Sequence, residues 1–390
     1  MALRFDVVSE ISRIDPELWN RLSWQASPIM EWGYFYALEK SGSASPERGY
    51  RPRHLVLYQD GNPVAVAPLY QRERSWVEFG DGGLLQFLSE LTGYPYHVGL
   101  LAAVPLTPVP GYQFLCHGSP NPLRLHEALL DYIDFLCDTQ KLVTSRMYFT
   151  AMETAAGDAR SRQDLHRLLV GKGYVNLKSE YCLWFNRGYR SFDDFLKIFR
   201  SSRRHKIKRE LRDIAAAGID IRMVEGREAP ESLFDDMYRL YVQTWTKHMG
   251  SDLRPFFNQQ FFRLLHERFR HRCAFSIASR NGETVAMAIF YHKGKQLYGR
   301  YWGAFEDYPF LHFATCYYHP IRYAIGEGYQ VLDPGFGGEH KLFRGFEVVP
   351  ASHYIKFYGD EERKFAYSVL ERMQARAKAG EVSSKGERRF

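Results

Sequence analysis

The chain has 390 residues, 45% hydrophobic and 25% charged, which excludes a disordered or low-complexity protein and leaves apolar material for two or three packed domains. Its 52 Lys+Arg outnumber 45 Asp+Glu by a net +7, so a locally basic surface suited to phosphates, nucleic acid or anionic membrane is to be sought. The 26 Tyr and 28 Phe suit both aromatic-rich cores and clefts for large amphipathic ligands.

The N-terminal stretch is broken early by acidic residues and predicts no secretory leader. No apolar run approaches about 18 residues, so no spanning helix is expected. Five cysteines (116, 137, 182, 273, 316) without a Cys-x-x-Cys pair predict neither a disulfide framework nor a zinc site. A cytoplasmic protein without a metal is expected, with contact at the membrane surface left open.

In chain order, Phe5–Val8 is strand-like and Pro16–Leu22 helical. Pro28 leads a helical pattern carrying Phe35 and Leu38. His54–Gln59 and Val64–Tyr70 flank Asp60-Gly61 and predict a hairpin. Pro122–Gln140 is helical, Arg146–Thr150 strand-like, Asp164–Val170 a short helix, and Tyr174–Phe185 alternates like a strand.

From Ser191 to Gly218 the pattern is one basic helix. Ser191 is its cap, Asp193 and Asp194 lie in its first turn, and Gly218 stops it. Phe195, Phe199, Ile207, Leu211 and Ile214 form an apolar face. Lys197, Arg200, Arg203, Arg204, Lys206, Lys208, Arg209 and Arg212 crowd the rest, opposed nearby only by Glu210 and Asp213. A solvated outer face normally mixes signs; this one reads as a surface for polyphosphate or nucleic acid, with Arg203, Arg204, Lys206 and Lys208 as contacts.

After it the order repeats. Ile219–Val224 is a strand and Ser232–Thr246 a helix. Pro255 leads a helix whose Phe262 and Leu265 stand at the offsets of Phe35 and Leu38. Ser276–Arg280 and Val285–Tyr291 flank Asn281-Gly282. Asp60-Gly-x-x-Val-Ala-x-Ala-x-x-Tyr70 and Asn281-Gly-x-x-Val-Ala-x-Ala-x-x-Tyr291 share their spacing throughout, the mark of an internal duplication. Phe310–Glu327 is helical, Gln330–Asp333 a strand, and Glu361–Ala379 a terminal helix before a polar tail. These readings predict an α+β fold of two tandem units, 1–186 and 219–360, joined by the basic helix 187–218 and followed by 361–390.

The order strand, helix, helix, hairpin, given twice, resembles paired GNAT acyltransferase folds. Arg203-Arg204-His205-Lys206-Ile207-Lys208-Arg209-Glu210, running on to Ala217-Gly218-Ile219, is similar to a segment of Fem-type peptidoglycan ligases. Stretches such as Leu297–Gly303, Phe310–Phe313 and Gly338–Lys341 with Arg344-Gly345-Phe346 are similar to the FemAB-like, predicted N-acyltransferase group. The resemblance implies transfer of an acyl or aminoacyl group to an amine, from a CoA thioester, an acyl carrier or an aminoacyl-tRNA. The loop Gly303–Phe310 lacks the Q/R-x-x-G-x-G/A pattern that holds the CoA pyrophosphate, and the segment between Arg190 and Ile219 is short for the helical arm of Fem ligases. A non-catalytic protein that recognises a polyanionic glycan precursor, nucleotide or RNA is the alternative.

Candidate site residues follow the second hairpin. Glu339, His340 and His312 are candidate proton carriers. Tyr298, Arg300, Trp302, Tyr317, Lys341 and Arg344 are candidate substrate contacts. Alternation along the strand predicts Tyr298, Arg300 and Trp302 on one face and Tyr301 on the other, and a buried Arg300 calls for an anionic partner. In the first half Asp81, His97 and His117 lack local company, and Tyr70 and Tyr96 are candidate cleft residues.

Overall fold

A computed structural model describes residues 2–73, 79–152 and 159–378. The first half opens with β1 (Leu3–Val8), α1 (Pro16–Leu22) and α2 (Trp32–Lys40). The short β2 (Tyr50–Pro52) leads to β3 (His54–Gln59), β4 (Asn62–Ala67) and β5 (Tyr70–Arg72). Then come α3 (Leu84–Thr92), β6 (Gly99–Ala102), α4 (Pro122–Thr139), β7 (Thr144–Met147), α5 (Ala159–Gly171) and β8 (Val175–Phe185).

The junction carries α6 (Phe192–Leu196) and α7 (Ser201–Ala216). The second half continues with β9 (Ile219–Glu225), α8 (Glu231–Met249), α9 (Gln259–Phe269), β10 (Cys273–Arg280), β11 (Glu283–Lys293) and β12 (Gln296–Ala304). It ends with α10 (Leu311–Phe313), α11 (His319–Gly326), β13 (Val331–Asp333), β14 (Glu347–Phe357) and α12 (Asp360–Lys378).

Both predicted hairpins form. Asp60 and Gly61 sit at φ 51° and 83°, Asn281 and Gly282 at 53° and 85°, the two left-handed residues that a type I′ turn needs and that Asx-Gly supplies with least strain. The two halves share one order of pairing. β9-β10-β11-β12 is antiparallel and β13 joins β12 in parallel. In the first half β1-β3-β4 is antiparallel, Val66 bridges Leu115 antiparallel and Tyr112 bridges Thr150 in parallel.

The last strands change places. β8 leaves the first half to pair antiparallel with β13, and β14 leaves the second to pair antiparallel with β7. β8 and β14 lie side by side from Val175↔Ile355 to Leu183↔Glu347. The range 219–360 thus gives its final strand to the first half's sheet, and eleven strands run continuously in the order β2-β5-β6-β7-β14-β8-β13-β12-β11-β10-β9.

The corresponding helices α2 and α9 pack in the main core between the halves. A Cβ on Gly33 would lie 2.5 Å from the Arg268 carbonyl oxygen, so the backbone of α2 touches the end of α9. Beside this contact the Glu31 carboxylate, 4% exposed, meets Arg272 at 2.8 Å, Lys293 at 2.8 Å and His271 at 3.4 Å.

The predicted single basic helix is two. Ser191 does cap the first, accepting from the Asp194 N–H at 3.1 Å, but Arg200 is extended (ψ 152°) and a new helix starts at Ser201. The break lets Phe195 and Phe199 both close on Gly345, whose Cβ position lies 2.8 Å and 3.1 Å from them. The predicted helix Phe310–Glu327 also has a fault: Ala314–Tyr318 between α10 and α11 is a π-turn, a local widening often found at functional sites. Phe310 before it is held at φ 67°, strained for a bulky side chain. Among the described residues no helix is long and apolar enough to cross a membrane.

Candidate functional site

β12 and β13 run side by side only from Gln296↔Val331 to Tyr298↔Asp333. Beyond that β12 continues alone on this edge to Ala304, with no strand among the described residues against it. The fork so made is filled by the turn 334–338 and the short 3-10 helix Glu339–Arg344.

On one face of the fork, side chains from three segments meet. The His312 ring lies 4.8 Å from Trp302, 5.2 Å from Tyr317 and 5.7 Å from His340. Tyr317 Oη and His340 Nε2 share a 2.8 Å hydrogen bond. Burial, with the charges of Lys341 and Arg344 adding, pushes the His340 imidazole below its usual range. The same causes, with His340, hold His312 down to about 3. Both rings are therefore neutral near pH 7, and His312, held so low, is the weaker proton acceptor.

Lys341, 2% exposed, donates to the Gly335 carbonyl at 2.6 Å, and its burial lowers its pKa. Arg344 lies under the Phe313 ring at 3.3 Å, donates to the His340 carbonyl at 2.9 Å and faces Glu210 at 3.5 Å. Glu210 also accepts from Tyr318 Oη at 2.5 Å. Lys341 and Arg344 thus brace the loop that carries His340. Glu339 is exposed on the outer side of that loop.

The predicted faces of β12 need correction. Trp302 pairs with Ala288 and Gly299 with Phe290, so Arg300 and Tyr301 together oppose Ile289. This β-bulge re-aims the strand. Tyr301 joins Tyr298 on the side of α8 and α9, while Trp302 turns to the opposite side with His312. Arg300 Nη2 reaches Tyr301 Oη at 3.4 Å. Asp333, at the tip of the fork and 2% exposed, accepts from Tyr181 Oη at 2.9 Å and from the Gly335 N–H at 2.7 Å. Burial outweighs these bonds and raises its carboxyl to about 6.

The structure therefore gathers Trp302, His312, Tyr317, His340, Lys341 and Arg344, and sets Tyr298 and Arg300 on the other face of the same fork. Asp333, Tyr181 and Glu210 were not singled out as site residues from sequence. Glu210 read as a counter-charge on a solvated face, and only its 2% exposure reveals otherwise.

The basic helix adjoins this loop: Arg203 stacks over Phe343 at 4.9 Å. Lys206 is exposed, Lys208 pairs with Asp193 at 2.8 Å, and Arg204 is turned back to the Phe199 carbonyl. In the first half Tyr70 is no cleft residue. It is fully buried and donates to Glu39 at 2.8 Å, which also binds His54. Tyr96 is buried against the Glu362 carbonyl, Asp81 accepts from Tyr148, the His97 carbonyl accepts from Arg146, and His117 is exposed. No three His, Cys, Asp or Glu side chains among the described residues are grouped to hold a metal ion.

Gly338 sets the position of His340. At φ 91° its Cβ would fall 2.4 Å from the imidazole. Gly338→Ala is expected to displace the ring and to cost about 1–3 kcal/mol of backbone strain, read as a lower unfolding midpoint together with loss of the Tyr317–His340 contact in a crystal structure of the variant.

Residues 10–385 match the profile of the FemAB-like family, described as peptidoglycan biosynthesis/recognition. No curated protein matches in sequence. Among solved structures, FemX is 10% identical with a TM-score of 0.56, over 95% of this chain and 100% of FemX. L-PGS from Bacillus licheniformis is 11% identical with a TM-score of 0.51, over 92% of this chain and 96% of that one. A tandem GNAT protein from the clavulanic acid biosynthesis pathway aligns at 9% identity and a TM-score of 0.45, over 92% and 100%. The architecture is the expected mixed α/β fold, with large mixed sheets flanked by helices. The chain belongs to the FemAB-like family of peptidoglycan biosynthesis/recognition.

Proposed function

We propose that the protein is an N-acyltransferase that moves an acyl or aminoacyl group from an activated donor to an amine acceptor in the cytoplasm. The observation that carries this is the pair of neutral imidazoles, His312 and His340, beside Tyr317 at the fork between β12 and β13. An amine attacks a carbonyl only as the free base, and a neutral imidazole within reach can take its proton. The carbonyl would lie along the free edge of β12, where backbone groups can hold it; direct attack needs no covalent enzyme intermediate.

The donor is proposed to reach the fork past α7. The cationic side of that helix leads to Phe343 and the His340 loop, which suits the phosphates of an aminoacyl-tRNA or carrier. The start of α10 suits them less: Glu306 and Asp307 precede it, both exposed, and repel an anion from that helix end. Charge reversal at Arg203 and Lys206 is expected to weaken donor binding by about tenfold or more at low salt and less at high salt, measured by titration at two ionic strengths. Equal affinity at low salt would remove α7 from the site.

The direct test is incubation with a panel of acyl-CoA, acyl-carrier and aminoacyl-tRNA donors and an amine acceptor, following donor loss. Turnover of none, with tight binding of a glycan precursor or RNA, would replace this reading with recognition without catalysis.

A further inference from the structure

The other face of the fork holds a charge without a partner. Arg300 makes no ion pair with a carboxylate among the described residues, and its Nε is buried with no hydrogen-bond partner. Tyr291 Oη, on the neighbouring strand, is likewise buried and unpartnered. Tyr34, Tyr181, Tyr291 and Tyr301 all act on Arg300 electrostatically. Burial pushes each of their hydroxyls above the usual phenol range, so at neutral pH they offer dipoles and O–H donors, not a counter-charge. Asp333 also acts on this side, but it is held by Tyr181 and Gly335 and does not reach the guanidinium.

A partly buried guanidinium whose Nε has no hydrogen-bond partner is costly to a fold. Its retention, with the unspent Tyr291 hydroxyl beside it, marks a place prepared for an anion. Two clefts touch the partners of this cluster. One is lined by Tyr298 and Asp333. The other is lined by Thr107 and Pro108, whose Oγ1 and carbonyl oxygen lie 3.1 Å from Tyr34 Oη and 3.5 Å from Tyr181 Oη. Leu106 and Phe149 on the second cleft are held at φ 57° and 51°, left-handed values that strain bulky residues and gather at binding sites.

We infer that Arg300, with the hydroxyls of Tyr291 and Tyr301, forms a binding site for a carboxylate carried by one of the protein's ligands. A carboxylate fits better than a phosphate. One fixed positive charge among neutral phenols balances a monoanion, and Asp333 nearby repels a second negative charge. The guanidinium fork offers a carboxylate two parallel donors. This deepens the transferase reading, since it states that the donor or acceptor bears a free carboxylate, but binding alone tests it and no turnover is needed.

The probes are acetate, succinate and N-acetylglycine, with phosphate and sulfate as competitors for the assignment, added to the full-length protein and read by thermal shift and calorimetry. A carboxylate is expected to raise Tm and to bind at least tenfold more tightly than phosphate. Tyr291→Phe removes an oxygen that makes no hydrogen bond in the fold, so Tm without ligand should hold while carboxylate affinity falls about fivefold to tenfold. Arg300→Met should raise the ligand-free Tm and abolish the carboxylate shift. No shift with any carboxylate, equal affinity of wild type and Tyr291→Phe, or a lower ligand-free Tm for Arg300→Met would each overturn the site. Preference for phosphate would overturn the carboxylate assignment. A protein that binds carboxylates but turns over no acyl donor would leave this site standing and defeat the transferase.

Discussion

His340→Ala and His312→Ala, each assayed with the donor that the panel identifies, are expected to lower kcat/KM by about 10²–10⁴, the usual worth of a positioned proton acceptor. The two losses should not add, because the rings share Tyr317 and lie 5.7 Å apart, close enough to couple. The pH profile separates this from simple misfolding. An ordinary imidazole loses its free base as pH falls through about 6.5. Burial lowers both rings here, His312 to about 3, so the proton acceptor survives to lower pH. The acid limb of kcat/KM should lie below that of an ordinary imidazole. A limb centred at 6.5, or either alanine variant at full rate, would remove these rings from the chemistry.

The largest expected effect on stability is at Glu31. Burial alone would raise its carboxyl, but hydrogen bonds from His271 and Arg272 and the charge of Lys293 outweigh that and hold it at about 2, from 4.5. A difference of about 2.5 between free and folded values corresponds to about 3 kcal/mol. Because the folded value is depressed, this stability is present in full above about pH 4.5 and is lost as pH falls toward 2. Glu31→Ala strands Arg272 and Lys293 around a buried void and should cost about 3–5 kcal/mol at pH 7. Urea unfolding at pH 7 and pH 3 checks both parts: the gap between wild type and variant should narrow on acidification. A gap of the same size at both pH values would assign the loss to packing.

Local rules made much of the fold legible. Asp60-Gly61 and Asn281-Gly282 demand left-handed turns, and Pro16 and Pro122 mark helix starts that stand where expected; Pro28 opens only a 3-10 turn, and the helix carrying Phe35 and Leu38 starts at Trp32. The chemistry-bearing segments were legible too, because His312, Tyr317 and His340 follow the second hairpin and have no counterpart after the first. What failed depended on contacts distant in sequence. The break before Ser201 follows from two phenyl rings closing on Gly345. The bulge at Arg300 and Tyr301 is a matter of register with Ile289, which alternation along one strand cannot reveal. The burial of Glu210 and Asp333 depends on what covers them. The exchange of β8 and β14 left no local mark, since each alternates equally well on either neighbour.

That exchange has a physical consequence. A chain whose halves each supply the other's closing strand is a domain-swapped dimer written into one polypeptide. Neither half has a complete sheet of its own: cut between residues 186 and 190, the first would bare the edge of β7 and the second the edge of β13, each open to pairing with any strand it meets. Neither half is therefore a module by itself. The fork beside β13, where His340 and Asp333 stand, is walled on its far side by β8, a strand of the first half.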